Sequence, residues 1–233
     1  MAVAGSSPPR WMRIIGIGAL TGSLLVAGML LGPVRAQAAV TPVVLGTAAT
    51  YLVLGGTGVT NTDATVLSGD LGVSPANSIV GFPPGIASGT THAADSQAGQ
   101  AQNDLMTAYN DAAGRSPTTP DFAGDQNGNT FTPGIHHTAA AFALTGTLTL
   151  DGQNDPNAVF IFQIDAALNT AAASTISLTN GAQASHIYWQ VLGATGTGAD
   201  SSFTGTIMAL GGITIGARAT LTGRALSHGL ITL

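Results

Sequence analysis

Two adjacent histidines, His136 and His137, are the most metal-like feature of the chain, because a neutral imidazole is the commonest metal ligand. Neighbouring side chains on a strand point to opposite faces, however, and no cysteine, glutamate or third ligand at useful spacing accompanies the pair. No metal or other cofactor is therefore expected. His92, His186 and His228 are isolated and read as hydrogen-bonded strand or loop residues. The run GGTGVTN after YLVL carries two glycines of a dinucleotide-binding turn, but Asn61 stands where the last glycine belongs and no helical pattern follows. Neither a G-x-S-x-G elbow nor an H-E-x-x-H helix occurs. Lysine and glutamate are absent altogether, which removes most of the usual bases and amine nucleophiles. Asp63, Asp70, Asp151, Asp155 and Asp200 are scattered over turn-like segments, where aspartate is common for conformational reasons. A polysaccharide lyase would want clustered aspartates for calcium and a positioned Arg or Lys. The expectation is no enzyme and no small-molecule substrate.

Charge narrows the partners further. The formal net charge is −5, but three of the six basic residues, Arg10, Arg13 and Arg35, lie in a segment that reads as an export signal. Arg10 and Arg13 form its basic region, residues 14–31 its apolar stretch, and Ala36-Gln37-Ala38 its small-residue cleavage site. Residues 1–38 are thus read as a cleavable signal and 39–233 as one secreted domain; an uncleaved N-terminal membrane anchor is the alternative, since the apolar run could just span a bilayer. The mature chain would keep Arg115, Arg218 and Arg224 against eleven aspartates, a net of −8. That balance argues against nucleic acid and anionic lipid as partners. The absence of cysteine leaves an exported chain to be held by its core and hydrogen bonds.

One helix is predicted, over about 93–114, from good helix formers with Ala98, Ala101, Leu105, Ala108 and Tyr109 on one face and Gly114 to close it. Leu105 and Tyr109 should pack it onto the rest. Segment 115–134 is dense in Pro, Asn, Asp and Gly and must be irregular. The remainder reads as short strands, and its second half repeats. IFQI (161–164), YWQV (188–191), IMAL (207–210) and ALSH (225–228) recur at intervals of 27, 19 and 18. SLTNG (177–181), SFTG (202–205) and TLTG (220–223) return between them, with VLSG (66–69) as an earlier copy, and GGITI (211–215) aligns with GLITL (229–233). Three strands per repeat mean a three-sided β-solenoid.

Alternation along strands then sorts the side chains. Leu178, Phe203 and Leu221 should stack inward, with Ser177, Thr179, Ser202, Thr204, Thr220 and Thr222 outward on one face. Thr60, Asn169, Thr195, Thr214 and Thr232 should form an outward column on another. Small residues precede most of these by two positions: Gly58, Ala167, Gly193 and Gly212. Ala143 replaces a hydroxyl of the column.

The ordered motifs LGTAATYLVLGGTGVTNT, SGDLGVSP, DLMTAYNDAAGR, TPGIH, VFIFQI, GAQASHIYWQV, FTGTI and LTGRAL resemble the microbial secreted ice-binding family over residues 45–233. The resemblance implies an all-β, discontinuous right-handed β-solenoid of triangular section with one long helix alongside and the last coil packed against the first. It implies a flat face that adsorbs to an ice crystal, inhibiting ice growth and recrystallisation; the chain is expected to be a monomer. Some members show a Thr-Ala/Gly-X-Thr/Asn pattern there; Thr57-Gly58-Val59-Thr60 is the one full copy in this chain, and residues 166–169, 192–195 and 211–214 have lost the first threonine. The candidate face is Thr57, Gly58, Thr60, Thr62, Ala143, Thr145, Ala167, Asn169, Thr195, Thr197, Gly212, Thr214 and Thr232. The Ser177/Thr179, Ser202/Thr204 and Thr220/Thr222 face is the second choice. An extracellular spacer or adhesin and a lyase-like β-helix are the alternatives.

Overall fold

A computed structural model describes residues 40–233; the expected export signal lies outside them. Short β-rich segments separated by turns lay down one strand on each of three faces per coil, and successive coils pair in parallel. One coil comprises Thr147–Asp151, Phe160–Ile164 and Leu168–Thr170, and the next Thr175–Thr179, Ile187–Val191 and Thr195–Gly196. The last two coils tighten: Ser202–Ala209 and Thr220–Ser227 each serve two faces, turning the corner at Gly205 (φ 113°) and Gly223 (φ 150°), and Ile213–Thr214 and Leu230–Thr232 supply the third. A Cβ at Gly223 would meet the Gly205 carbonyl oxygen at 2.0 Å, so the two corners stack only as glycines.

The solenoid is discontinuous, as expected. Tyr51–Gly55 pairs with Thr220–Ser227 (Val53 opposite Ala225), and Gly58–Thr60 pairs with Leu230–Thr232 (Thr60 opposite Thr232). The final coil therefore hands its edge to the N-terminal strands instead of to water. From there Asp70–Val73, Ile79–Val80, Ile86–Ala87 and Thr91–Ala93 continue the stack. Helix α1, Ser96–Gly114, and irregular segment 115–129 carry the chain back to the far end, where Gly134–Thr138 pairs with Phe160–Ile164.

The core has two layers. Inside the coils stand Phe142, Phe160, Phe162, Trp189, Phe203 and their aliphatic neighbours; the rings of Phe162 and Trp189 stack at 4.1 Å and 10°, and His136 extends the ladder 5.2 Å from Phe162. Between helix and sheet, Ala101, Leu105, Ala108, Tyr109 and Ala112 meet Leu54, Ile161, Tyr188, Met208 and Leu226. The predicted helical face is the one buried. Its start moves from 93 to Ser96, because residues 91–93 are drawn into a strand and Asp95 becomes the N-cap, accepting from the Ala98 amide at 2.8 Å. Its last residue is Gly114, which is not in the left-handed conformation, and Arg115 leaves in extended conformation; the end is satisfied from the sheet, where the Gln163 amide donates to the carbonyls of Ala112 and Arg115, both at 2.7 Å. Gln190 donates to Tyr109 Oη and Gln102 to the Ser227 carbonyl, so three glutamines tie α1 to three of the coils.

Two register expectations are corrected. Trp189, and not Tyr188, lies opposite Ile207, making that repeat 18 residues instead of 19. Ile176, and not Leu178, is the partner of Phe203 and Leu221, because Thr175 lies opposite Ser202 and Phe203 opposite Leu221. Leu178 keeps its inward parity two positions along, opposite Leu150.

Candidate binding face

Seven parallel strands, Phe142–Leu144, Leu168–Thr170, Thr195–Gly196, Ile213–Thr214, Leu230–Thr232, Gly58–Thr60 and Ile79–Val80, make the face that α1 leaves open. Their cross-strand pairs run without a bulge, so one outward column reads Ala143, Asn169, Gly196, Thr214, Thr232, Thr60, Val80. By the same register the column two positions earlier is Ala141, Ala167, Ala194, Gly212, Leu230, Gly58, Ser78. No ionisable side chain occurs in either. Every second residue faces inward and is apolar in most rungs: Phe142, Leu168, Ile213, Ile231 and Val59 are all essentially inaccessible. This packing holds the outward column level, since a one-residue slip would expose all five.

Of the expected residues, Asn169 and Thr214 are exposed and Thr60, Thr232, Ala143, Ala167 and Gly212 partly so, all on this face. Thr57 and Thr62 are exposed just outside the strand Gly58–Thr60, and Gly58 lies in it with its backbone largely covered. Thr145 is exposed past the end of its strand, and its hydroxyl donates to Asp125.

Thr195 and Thr197 are corrected. Thr195 points into the core between Leu168 and Ile213 and is 2 % exposed, its place in the outward column being taken by Gly196; Thr197, two further along, is buried too, its hydroxyl accepting from the Gly216 amide. Gly193 likewise gives way to Ala194 in the flanking column. The error has one source: matching Thr195 to Thr214 repeats the 19-residue slip between YWQV and IMAL, and an odd slip exchanges the faces. Gly196 and Ala194 are what the sequence reading missed, and an 18-residue period extended back from Ile213 finds both.

A charged group closes one end of the column. Asp125 forms a bridge beside Ala143, and the Thr145 hydroxyl, foremost among its hydrogen bonds, holds its carboxyl below the usual range. It sits at the rim and leaves the interior of the face neutral. The second-choice face is less regular. Ser177, Thr179, Ser202, Thr220 and Thr222 are at least partly accessible, but Thr204 is only 7 % exposed, and the short helical turn Ala184–His186 lies against its strand. His136 and His137 face opposite sides. His136 is buried and its pKa is lowered to about 4 by desolvation, while His137 is bridged between Asp121 (2.9 Å) and Asp165 (3.1 Å), which raise its pKa.

A neutral, periodic sheet face in unbroken parallel register has the geometry of a surface suited to an extended, repeating ligand. The ice-binding-like family profile matches residues 53–233, and the chain belongs to that family. It is 43% identical over 191 residues to an ice-binding protein of Nostoc sp. (strain HG1), covering 81% of this chain and 71% of that one. Among solved structures it is similar to an ice-binding protein from an Antarctic biological consortium (TM-score 0.82, 44% identity, 84% of this chain and 89% of that one). It is similar also to the ice-binding protein of the Antarctic ascomycete Antarctomyces psychrotrophicus (TM-score 0.81, 36% identity, 83% and 95%). The discontinuous β-solenoid with a helix alongside is thus the fold of this family.

Proposed function

We propose that this chain is a secreted, non-enzymatic ice-binding protein that adsorbs to ice through the open face, centred on Thr60, Thr214 and Thr232, and slows ice growth and recrystallisation. The observation that carries the assignment is the uncharged column in unbroken parallel register. Outward residues repeat at about 6.6 Å along a strand and about 4.8 Å between strands, a two-dimensional grid that a crystal of water can meet at many points. Threonine supplies a hydroxyl that donates and accepts and a methyl that orders adjacent water, and its β-branch limits the rotamer freedom lost on adsorption. Ionised groups would impose their own hydration geometry, which is consistent with their exclusion from both columns. Residues 1–38 act as the cleaved signal and 39–233 as the functional domain, working as a monomer.

The test is thermal hysteresis of the mature protein. Thr214→Tyr and Thr232→Tyr should each lose most of the activity with a native circular dichroism spectrum, whereas Thr222→Tyr on the third face should keep it. The reverse result would move the site to that face, and full activity in all three would remove ice adsorption from either.

A further inference from the structure

The row of hydroxyls on the open face has one break. Thr214, Thr232 and Thr60 stand on three adjoining rungs of the outward column, and the rung on the other side of Thr214 presents Gly196, which has no side chain. Asn169, polar and exposed, lies beyond that gap, with Ala143 after it. At the opposite end of the column Val80, 54% exposed, follows Thr60 with methyls alone. Side chains able to hydrogen-bond outward therefore occupy three contiguous rungs and one isolated rung.

Nothing in the fold calls for glycine at this point. Residue 196 lies in a strand and is not in the left-handed region. Its register is fixed from both sides: the Thr195 and Thr197 amides donate to the carbonyls of Gly212 and Thr214, both at 2.9 Å, and the Leu168 amide donates to Ala194 at 3.0 Å. Because Thr195 and Thr197 are buried, the residue between them faces outward. A Cβ there would lie no closer than 3.4 Å to Asn169 Oδ1, an ordinary contact. Neighbouring glycines differ. At Gly212, and at Gly193 on the corner before this strand, a Cβ would meet the carbonyl oxygens of Leu230 at 2.9 Å and of Ala166 at 2.8 Å. Those two glycines are required by close backbone approach, whereas the bare position at Gly196 is a property of the surface alone.

We propose that Gly196 is the residue that limits adsorption to ice: the working footprint is the run Thr214, Thr232 and Thr60, and Asn169 is cut off from it by one rung. The proposal rests on the ice-adsorbing reading of this face and goes beyond it by naming where the footprint stops. Water held over one threonine is shared with the next when rungs are about 4.8 Å apart, and a bare rung doubles that interval to about 9.6 Å. Across the gap Gly196 offers only backbone, whose hydrogen-bonding groups are directed along the sheet towards the neighbouring strands. Contacts made from one preorganised surface carry no fresh cost of orientation, so joining separated rungs raises affinity more than in proportion to their number.

The test is a gain of activity, which misfolding cannot mimic. Gly196→Thr joins Asn169 to the run and lengthens it from three rungs to five. It should raise thermal hysteresis at equal protein concentration by about twofold or more, with a native circular dichroism spectrum and a thermal midpoint no lower than that of the unsubstituted protein. Gly196→Ala removes the glycine's backbone freedom without adding a hydroxyl and should give clearly less. Asn169→Ala should change the unsubstituted protein little but remove much of the gain from Gly196→Thr, as expected of two rungs that act together. Unchanged or lowered hysteresis in Gly196→Thr, or an equal rise in Gly196→Ala, would overturn the proposal; loss of activity in Thr214→Tyr within the same series would then leave ice adsorption by this face standing. Absence of hysteresis in the unsubstituted protein and in every variant would instead remove the reading on which the proposal rests.

Discussion

Replacing Thr195 by valine separates the true outward column from its mirror image. Thr195 is 2 % exposed, and its Oγ1 is buried with no hydrogen-bond partner. Leaving such a hydroxyl unsatisfied costs about 1–3 kcal/mol, and valine substitutes a methyl of the same shape with the same β-branched preference for strand. Thr195→Val is therefore expected to stabilise the protein by about 1–2 kcal/mol. For a domain of this size about 2–4 °C accompanies each kcal/mol, so the midpoint of thermal unfolding should rise by about 2–8 °C. The assay is calorimetry beside thermal hysteresis, with Thr214→Val as the paired variant. Thr214 is exposed, and its substitution should move stability by no more than about 0.5 kcal/mol while lowering hysteresis. If Thr195→Val lost hysteresis, or lowered the midpoint, the assignment of Gly196 to the outward position would be refuted along with the register on which it rests.

Leu105→Asp, at a site 1% exposed between α1 and the sheet, should destabilise by about 3 kcal/mol or more, as for a buried uncompensated carboxylate, and a denaturation midpoint that barely moves would contradict the helix-side core. The adjacent histidines should give opposite pH dependences. His136, with a folded pKa of about 4 against 6.5, favours the unfolded state increasingly as pH falls from about 6.5 to 4, by about 3 kcal/mol in total, and His136→Gln should flatten that limb of a stability–pH curve. His137, raised by Asp121 and then Asp165, contributes stability that is full below its unfolded pKa and lost as pH rises through the folded value; the loss in His137→Ala should thus be larger at pH 5.5 than at pH 9. Ile231→Ala, at an inaccessible site on the coil that joins the chain's two ends, should cost about 2–5 kcal/mol and depress hysteresis at temperatures where the far-ultraviolet spectrum remains native; undiminished hysteresis would detach that junction from the binding surface.

Most of the architecture was legible because the signals that encode it are local. The spacing of Ala98, Leu105 and Tyr109 marks one helical face, and period-two alternation in TLTL or SFTG marks half-buried strand. What was not legible was the length of each corner. Between Val191 and Ser202 the chain passes through Thr195 and Thr197, which look like surface threonines, and nothing local distinguishes an inward threonine from an outward one. The distinction is made by Leu168 and Ile213, on coils above and below. The same limit moved Leu178 two places: the corner after Thr179 carries the helical turn Ala184–His186, absent from the next coil, so counting from the motif misaligns the strands. Where coils are equal in length, as between residues 211–215 and 229–233, the sequence alignment and the observed register coincide. Gln163 was silent for a related reason: its partners, the carbonyls at the end of α1, are about fifty residues away.

The three threonines at the centre of the open face stand on three successive rungs, Thr214, Thr232 and Thr60, and the last step crosses between opposite ends of the described chain. The column is therefore continuous only because the C-terminal coil docks. The Leu233 amide donates to the Thr60 carbonyl at 2.9 Å, Thr62 and Gly56 donate back to Leu233 and Gly229, and Ile231 stacks between Ile213 and Val59 inside. That closure is made on the helix-side face by the pairing of Tyr51–Gly55 with Thr220–Ser227 and on the open face by the pairing of Gly58–Thr60 with Leu230–Thr232. Rigidity at the threonine column therefore depends on how firmly the helix-side pairing of Val53 with Ala225 and the open-face pairing of Thr60 with Thr232 hold that seam.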